Sequence, residues 1–132
     1  MPHTLLQLAA PADPDLAQAL AQGLDTLIHT HLGKDRAVMS TAVQFIDPAN
    51  WHVGGQSLAA HGRTAWHLSI SITDETNTKA DKARFLRETH AWLAARLPHA
   101  HEVSYIHLVD ARAAAYGYGG RTQEWRHQQA GV

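Results

Sequence analysis

The chain has 132 residues, 45% of them hydrophobic, which suits one compact domain with a real core. Its formal charge of -1, its lack of cysteine and the absence of any run of about 18 apolar residues set further limits. They argue against a nucleic-acid partner, a disulfide framework, thiol chemistry and a membrane span. The amino end lacks the charged and apolar regions of a signal peptide, so a cytoplasmic protein is expected.

Thr4 to Ala9 reads as a short strand, with Leu6 and Leu8 on one face, and Ala10-Pro11-Ala12 breaks it. Asp13 then Pro14 predicts a helix start: a side-chain acceptor at the N-cap and a proline where no donor is lost. Leu16, Leu20, Leu24, Leu27, Ile28 and Leu32 form one helical stripe, and Gly33 is its stop. Ser40 to Asp47 is a second strand, and Asp47-Pro48-Ala49-Asn50 turns the chain. Trp51-His52-Val53-Gly54-Gly55 follows, then a loose stretch to Gly62.

The pattern then restarts. Trp66, Leu68, Ile70 and Ile72 alternate with His67, Ser69, Ser71 and Thr73, a strand apolar on one face only. Asn77 or Thr78 caps a helix whose stripe includes Phe85, Leu86, Trp92, Leu93 and Leu97, and Pro98 ends it. Val103 to Asp110 is a fourth strand, before Tyr116-Gly117-Tyr118-Gly119-Gly120. Asp47 and Asp110 stand 63 positions apart, Leu6 and Leu68 stand 62 apart, and Gly55 and Gly120 stand 65 apart. One domain over 1–132 with pseudo-repeats 2–62 and 63–125 is expected. Each helix spans a crossover, so its flanking strands are parallel. Two such β-α-β units make an α/β fold: a four-stranded sheet with two helices on one face. The face with His67, Ser69, Ser71 and Thr73 is too polar for a core and suits a subunit interface.

Histidine occurs 11 times, but only His29/His31 and His99/His101 form close pairs. Positions two apart on a helix face different ways, so no metal site is expected there. The stronger candidate chemistry is at the amino end. An aminopeptidase that removes Met1 leaves Pro2 as a terminal secondary amine. An ordinary α-amino group titrates near ~8, and apolar burial lowers that value. Neutral near pH 7, such an amine serves as a general base, and the strand behind it holds it still.

Taken together, Met1-Pro2, the doubled β-α-β unit, Trp51-His52-Val53-Gly54-Gly55 and Tyr116-Gly117-Tyr118-Gly119-Gly120 resemble the tautomerase superfamily. The resemblance runs from Pro2 to about Gly120. It is to the long, doubled members, which include macrophage migration inhibitory factor, malonate semialdehyde decarboxylase and cis-3-chloroacrylic acid dehalogenase. Short members, such as 4-oxalocrotonate tautomerase, carry one unit. It implies a homotrimer without a cofactor, with polar sheet faces inward and helices outward. It implies Pro2 as the base of a tautomerase acting on a small 2-oxo or enol acid. It also implies a pocket wall from Trp51 or Tyr116, and His29 falls where the dehalogenase holds a functional histidine.

Family members hold a substrate carboxylate with arginines, which here give way to Ala12 and Ala42 or Tyr105. The loop after the third strand is acidic, Thr73-Asp74-Glu75-Thr76-Asn77, and Ala115 replaces the dehalogenase's acid. Lys34, Arg36, Arg112 and Arg121 are the cations available instead. The alternatives are a hydratase, dehalogenase or decarboxylase on the same proline, or a non-catalytic trimeric binding protein.

Overall fold

The computed structural model describes residues 2–131. Met1, whose removal the proline reading requires, lies outside the described residues. In the first half, strand β1 (His3–Ala9) leads to helix α1 (Pro14–Leu32) and strand β2 (Ser40–Ile46). A two-residue-per-strand hairpin, β3 (His52–Val53) and β4 (Gln56–Ser57), and one helical turn, α2 (Leu58–His61), complete it. The second half runs β5 (Trp66–Thr73), α3 (Lys79–Arg96), β6 (Tyr105–Ala111), hairpin β7 (Gly117–Tyr118) and β8 (Arg121–Thr122), and α4 (Gln123–Gln129).

The main sheet has the order β2-β1-β5-β6. β1 is parallel to β2 and β5 is parallel to β6, as each helical crossover requires. The halves meet through an antiparallel β1–β5 ladder that pairs His3 with Ser71 and Leu8 with Trp66. This ladder sets the ends of the molecule. The start of β1 lies beside the finish of β5.

Asp13 accepts from the backbone of Asp15 and Leu16 to start α1, and Gly33 closes it at φ 68°. Thr78 and Asp81 form a reciprocal capping box on α3. Leu20, Leu24, Ile28 and Leu32 of α1 meet Phe85 and Leu93 of α3 over Leu6, Leu8, Leu68, Ile70 and Ile72 of the sheet. Both helices therefore cover one face of the sheet. The opposite face leaves His3, Gln44, His67, Tyr105 and His107 exposed. Among the described residues no helix is long and apolar enough to cross a membrane.

Several expectations shift. The stretch before Gly62 is ordered: Ser57 caps α2, and Leu58 is buried against Trp51, Ala9 and Ala65. Leu86 leaves the helical stripe at 37% exposed, and Thr89 is buried in line with Phe85 and Leu93. Spacings of four keep 85, 89 and 93 on one side, and Leu86 is a step round. The fourth strand begins at Tyr105. Before it, Val103 N–H donates to His101 Nδ1 and Ser104 Oγ donates to His101 O, a local turn that precludes ladder pairing. Asp47 lies past β2, capping the turn Pro48–Asn50 through Ala49 N–H.

Candidate active site

Pro2 is buried at the head of β1, where its carbonyl accepts from Ser40 N–H at 3.4 Å. Proline at this point costs the ladder no donor. Because β5 runs antiparallel to β1, its last residues arrive at the same end, and β6 follows with Ala111 beside Thr73. The chain then returns as the β7–β8 hairpin. Gly119 at φ 61° and Gly120 at φ 77° supply the two positive dihedrals of its tight turn. Gly117 has no room for a side chain, since a Cβ there would overlap the Arg121 carbonyl.

The hairpin closes a cavity of about 250 Å³ over Pro2, lined also by His3, Val38, Ser40, Tyr116, Gly117 and Tyr118. Tyr116 OH and Thr73 Oγ1 share a hydrogen bond of 2.6 Å. Burial raises the Tyr116 phenol above its ordinary value, and the Thr73 bond partly offsets this. Tyr118 is held from α4: the Arg126 guanidinium lies 3.8 Å from its ring centre and donates to its carbonyl at 2.9 Å.

The structure brings Pro2 and Tyr116 together. Arg36 and Arg121 stand at the margins. Arg36 opens the turn Arg36–Val38, whose Val38 lines the cavity, and its own side chain is exposed. Arg121 stacks 4.4 Å over Trp125 and lines a second cavity of about 260 Å³ with Tyr116 and Gly117. His29 and Trp51 do not line the Pro2 cavity. His29 lies in the last turn of α1, where its Nδ1 donates to Lys34 O at 2.8 Å. A carbonyl only accepts, so Nδ1 carries a proton. Trp51 is buried below the first hairpin, with its ring 4.6 Å from that of His67, at the far end of β1.

Tyr118, Val38, Ser40 and Thr73 are absent from the sequence-based candidates. Tyr118 had a signal: positions 116 and 118 share a face of an extended segment. Lys34 lines an adjacent cleft of about 470 Å³ with Thr73, Thr76, Gln123 and His127. Burial pushes its ammonium below the ordinary value, against the opposing pull of Asp81. Among the described residues, no three His, Asp or Glu side chains converge as a metal site.

No protein-family model matches the sequence, and neither does any curated protein. Solved structures do match. A fused 4-OT wild-type symmetric trimer superposes with a TM-score of 0.79 at 16% identity, over 92% of this chain and 96% of that one. The macrophage migration inhibitory factor-like protein of Entamoeba histolytica gives 0.74 at 16% identity, over 92% and 97%. The fold is that of the tautomerase superfamily. A third tautomerase-fold structure, Pt0534 inactivated by 2-oxo-3-pentynoate, gives 0.76 at 12% identity, over 94% and 98%.

Proposed function

We propose that this tautomerase-fold chain is an enzyme, an isomerase whose mature terminus is Pro2. The neutral proline nitrogen takes the hydroxyl proton of a small enol acid and returns it to carbon, giving the 2-oxo acid. An enolate develops between the two transfers, and a donor aimed at its oxygen is usually the larger contribution to rate. The observation that carries this reading is the burial of Pro2 beneath Tyr116 in a cavity of molecular size. Burial disfavours a charged amine, which is the direction a base working near neutrality needs. Tyr116 and Tyr118 make an aromatic slot without a lining arginine or lysine, which favours a monoanionic or aryl enol over a dianion.

We further read the chain as one domain of two pseudo-repeats, 2–62 and 63–125, assembling as a homotrimer through its exposed sheet face. Structural neighbours described as trimers support self-association. In the assembly, Trp51 and the marginal Arg36 and Arg121 are proposed substrate contacts. His29, anchored through Nδ1 to Lys34 O, is the residue a hydration reaction on the same proline would use. Native-source protein tests the reading directly. Its intact mass should lack Met1, and it should convert phenylenolpyruvate or 2-hydroxymuconate, followed by absorbance. Complete retention of Met1, or no conversion, contradicts it.

A further inference from the structure

Between the Pro2 cavity and the Lys34 cleft runs a line of hydroxyls that the reading above leaves unused. Lys34 Nζ donates to Thr76 Oγ1 at 2.8 Å. Thr76 Oγ1 donates to the Thr73 carbonyl at 2.6 Å. Thr73 Oγ1 and Tyr116 OH meet at 2.6 Å. Thr73 is fixed in the backbone as well: it pairs with Ala111 in the β5–β6 ladder, and the next amide, Asp74 N–H, donates to Ala111 O at 2.8 Å. The turn beyond it holds Glu75 at φ 63°, a left-handed setting that a non-glycine residue keeps only when its surroundings impose it. The Lys34–Thr76 contact is one such constraint. Thr73 is thus a rigid post, and Tyr116 reaches it from the position that leads into the β7–β8 hairpin.

We propose that Thr73 is a positioning residue whose hydroxyl donates to the Tyr116 phenol and turns the phenol's own proton toward the Pro2 cavity. This rests on the reading of Pro2 as the base. When the enol O–H breaks, its proton goes to the proline nitrogen, which becomes cationic, and the electron pair stays on oxygen as an enolate. Tyr116 O–H then donates a hydrogen bond to that oxygen without giving up its proton. The pair returns to form the carbonyl as carbon takes the proton from proline. A phenol oxygen that already accepts from Thr73 is a stronger donor than a solitary one, because linked hydrogen bonds polarise one another. Without Thr73 the phenol rotates freely, and its proton is shared among other acceptors.

The test compares Thr73→Val, Thr73→Ser, Tyr116→Phe and the Val/Phe double variant on phenylenolpyruvate. Removing an oxyanion donor typically costs ~10²–10³ in kcat, so Tyr116→Phe should fall in that range. Thr73→Val should lose about tenfold in kcat at little-changed KM, the worth of one oriented hydrogen bond. Thr73→Ser keeps most of the turnover, and the double variant is no slower than Tyr116→Phe alone. Losses that multiply in the double variant, or a Thr73→Val protein as fast as wild type, overturn the proposal. A second readout needs no turnover. With ring-labelled tyrosine, three phenol resonances are followed against pH by carbon NMR, the Tyr116 signal being the one missing in Tyr116→Phe. Thr73→Val should raise its titration midpoint, since a bond that stabilises the phenolate is lost. An unmoved midpoint sinks the pairing. A wild-type protein with no turnover overturns the Pro2 reading instead, and the midpoint still decides the pairing.

Discussion

Gly23 sits where α1 crosses α3, and replacing it with alanine pits helix propensity against packing. In a helix interior alanine is favoured over glycine by about 1 kcal/mol, so on an open surface Gly23→Ala would stabilise. Here a Cβ would overlap Trp92 Cζ2 and Cη2 and lie 2.9 Å from Cε2. The ring has to retreat by about 1.4 Å before its nearest atom reaches ordinary contact. Trp92 is pinned on its own side by the Arg96 guanidinium, 4.1 Å from the ring centre. Overpacking of this kind costs about 1–3 kcal/mol, and a displaced indole loses burial as well. We expect a net destabilisation of about 2 kcal/mol, read as a lower urea midpoint with an unchanged slope at fixed protein concentration. The sign should reverse once the obstacle is gone: in a Trp92→Ala background Gly23→Ala should stabilise by about 0.5–1 kcal/mol. A stabilising Gly23→Ala in the wild-type background would refute the reasoning.

Thr89 is fully buried with its hydroxyl unpartnered, so Thr89→Val, which keeps the shape, should raise stability by about 1 kcal/mol; a loss in the urea titration would reveal a partner for that hydroxyl. The Asp81 carboxyl is held below its ordinary value, first by Thr78 N–H and then by Asn77. A group depressed in the folded state binds fewer protons there, so its stabilisation is present above the ordinary aspartate value of 3.8 and fades as pH falls through the lower folded value. Asp81→Asn should therefore be less stable than wild type at pH 7 and match it in strong acid, and a gap that persists in acid contradicts the linkage. Tyr105 is 62% exposed on the helix-free sheet face. On the proposed homotrimer, Tyr105→Glu should lower the solution mass from three chains to one by sedimentation, and an intact trimer would move the interface elsewhere.

Much of this fold was legible because its boundaries carry side-chain signals. Asp13-Pro14 and Gly33 bracket α1, Thr78 starts α3, and the alternation from Trp66 to Thr73 is a complete strand. The two hairpins and α2 were not, since two-residue strands and a four-residue helix are too short to show a period. Thr89 was invisible in the core stripe because its polarity says surface. The choice between Trp51 and Tyr116 was open for a topological reason. Both precede a Gly-Gly turn, and only the antiparallel β1–β5 ladder shows that the second hairpin, within one chain, lies over Pro2. The Thr73–Tyr116 bond joins residues 43 positions apart and leaves no local trace.

The claim that Pro2 is the base stands or falls on its nitrogen remaining an amine. One added residue ahead of Pro2 turns that amine into an amide while leaving every side chain in place. General-base catalysis is typically worth ~10²–10⁴-fold, so the blocked protein should lose at least the lower figure in enol-to-keto conversion of phenylenolpyruvate. Circular dichroism and solution mass should match the free protein. Blocked and free proteins that convert the enol equally fast would contradict the account.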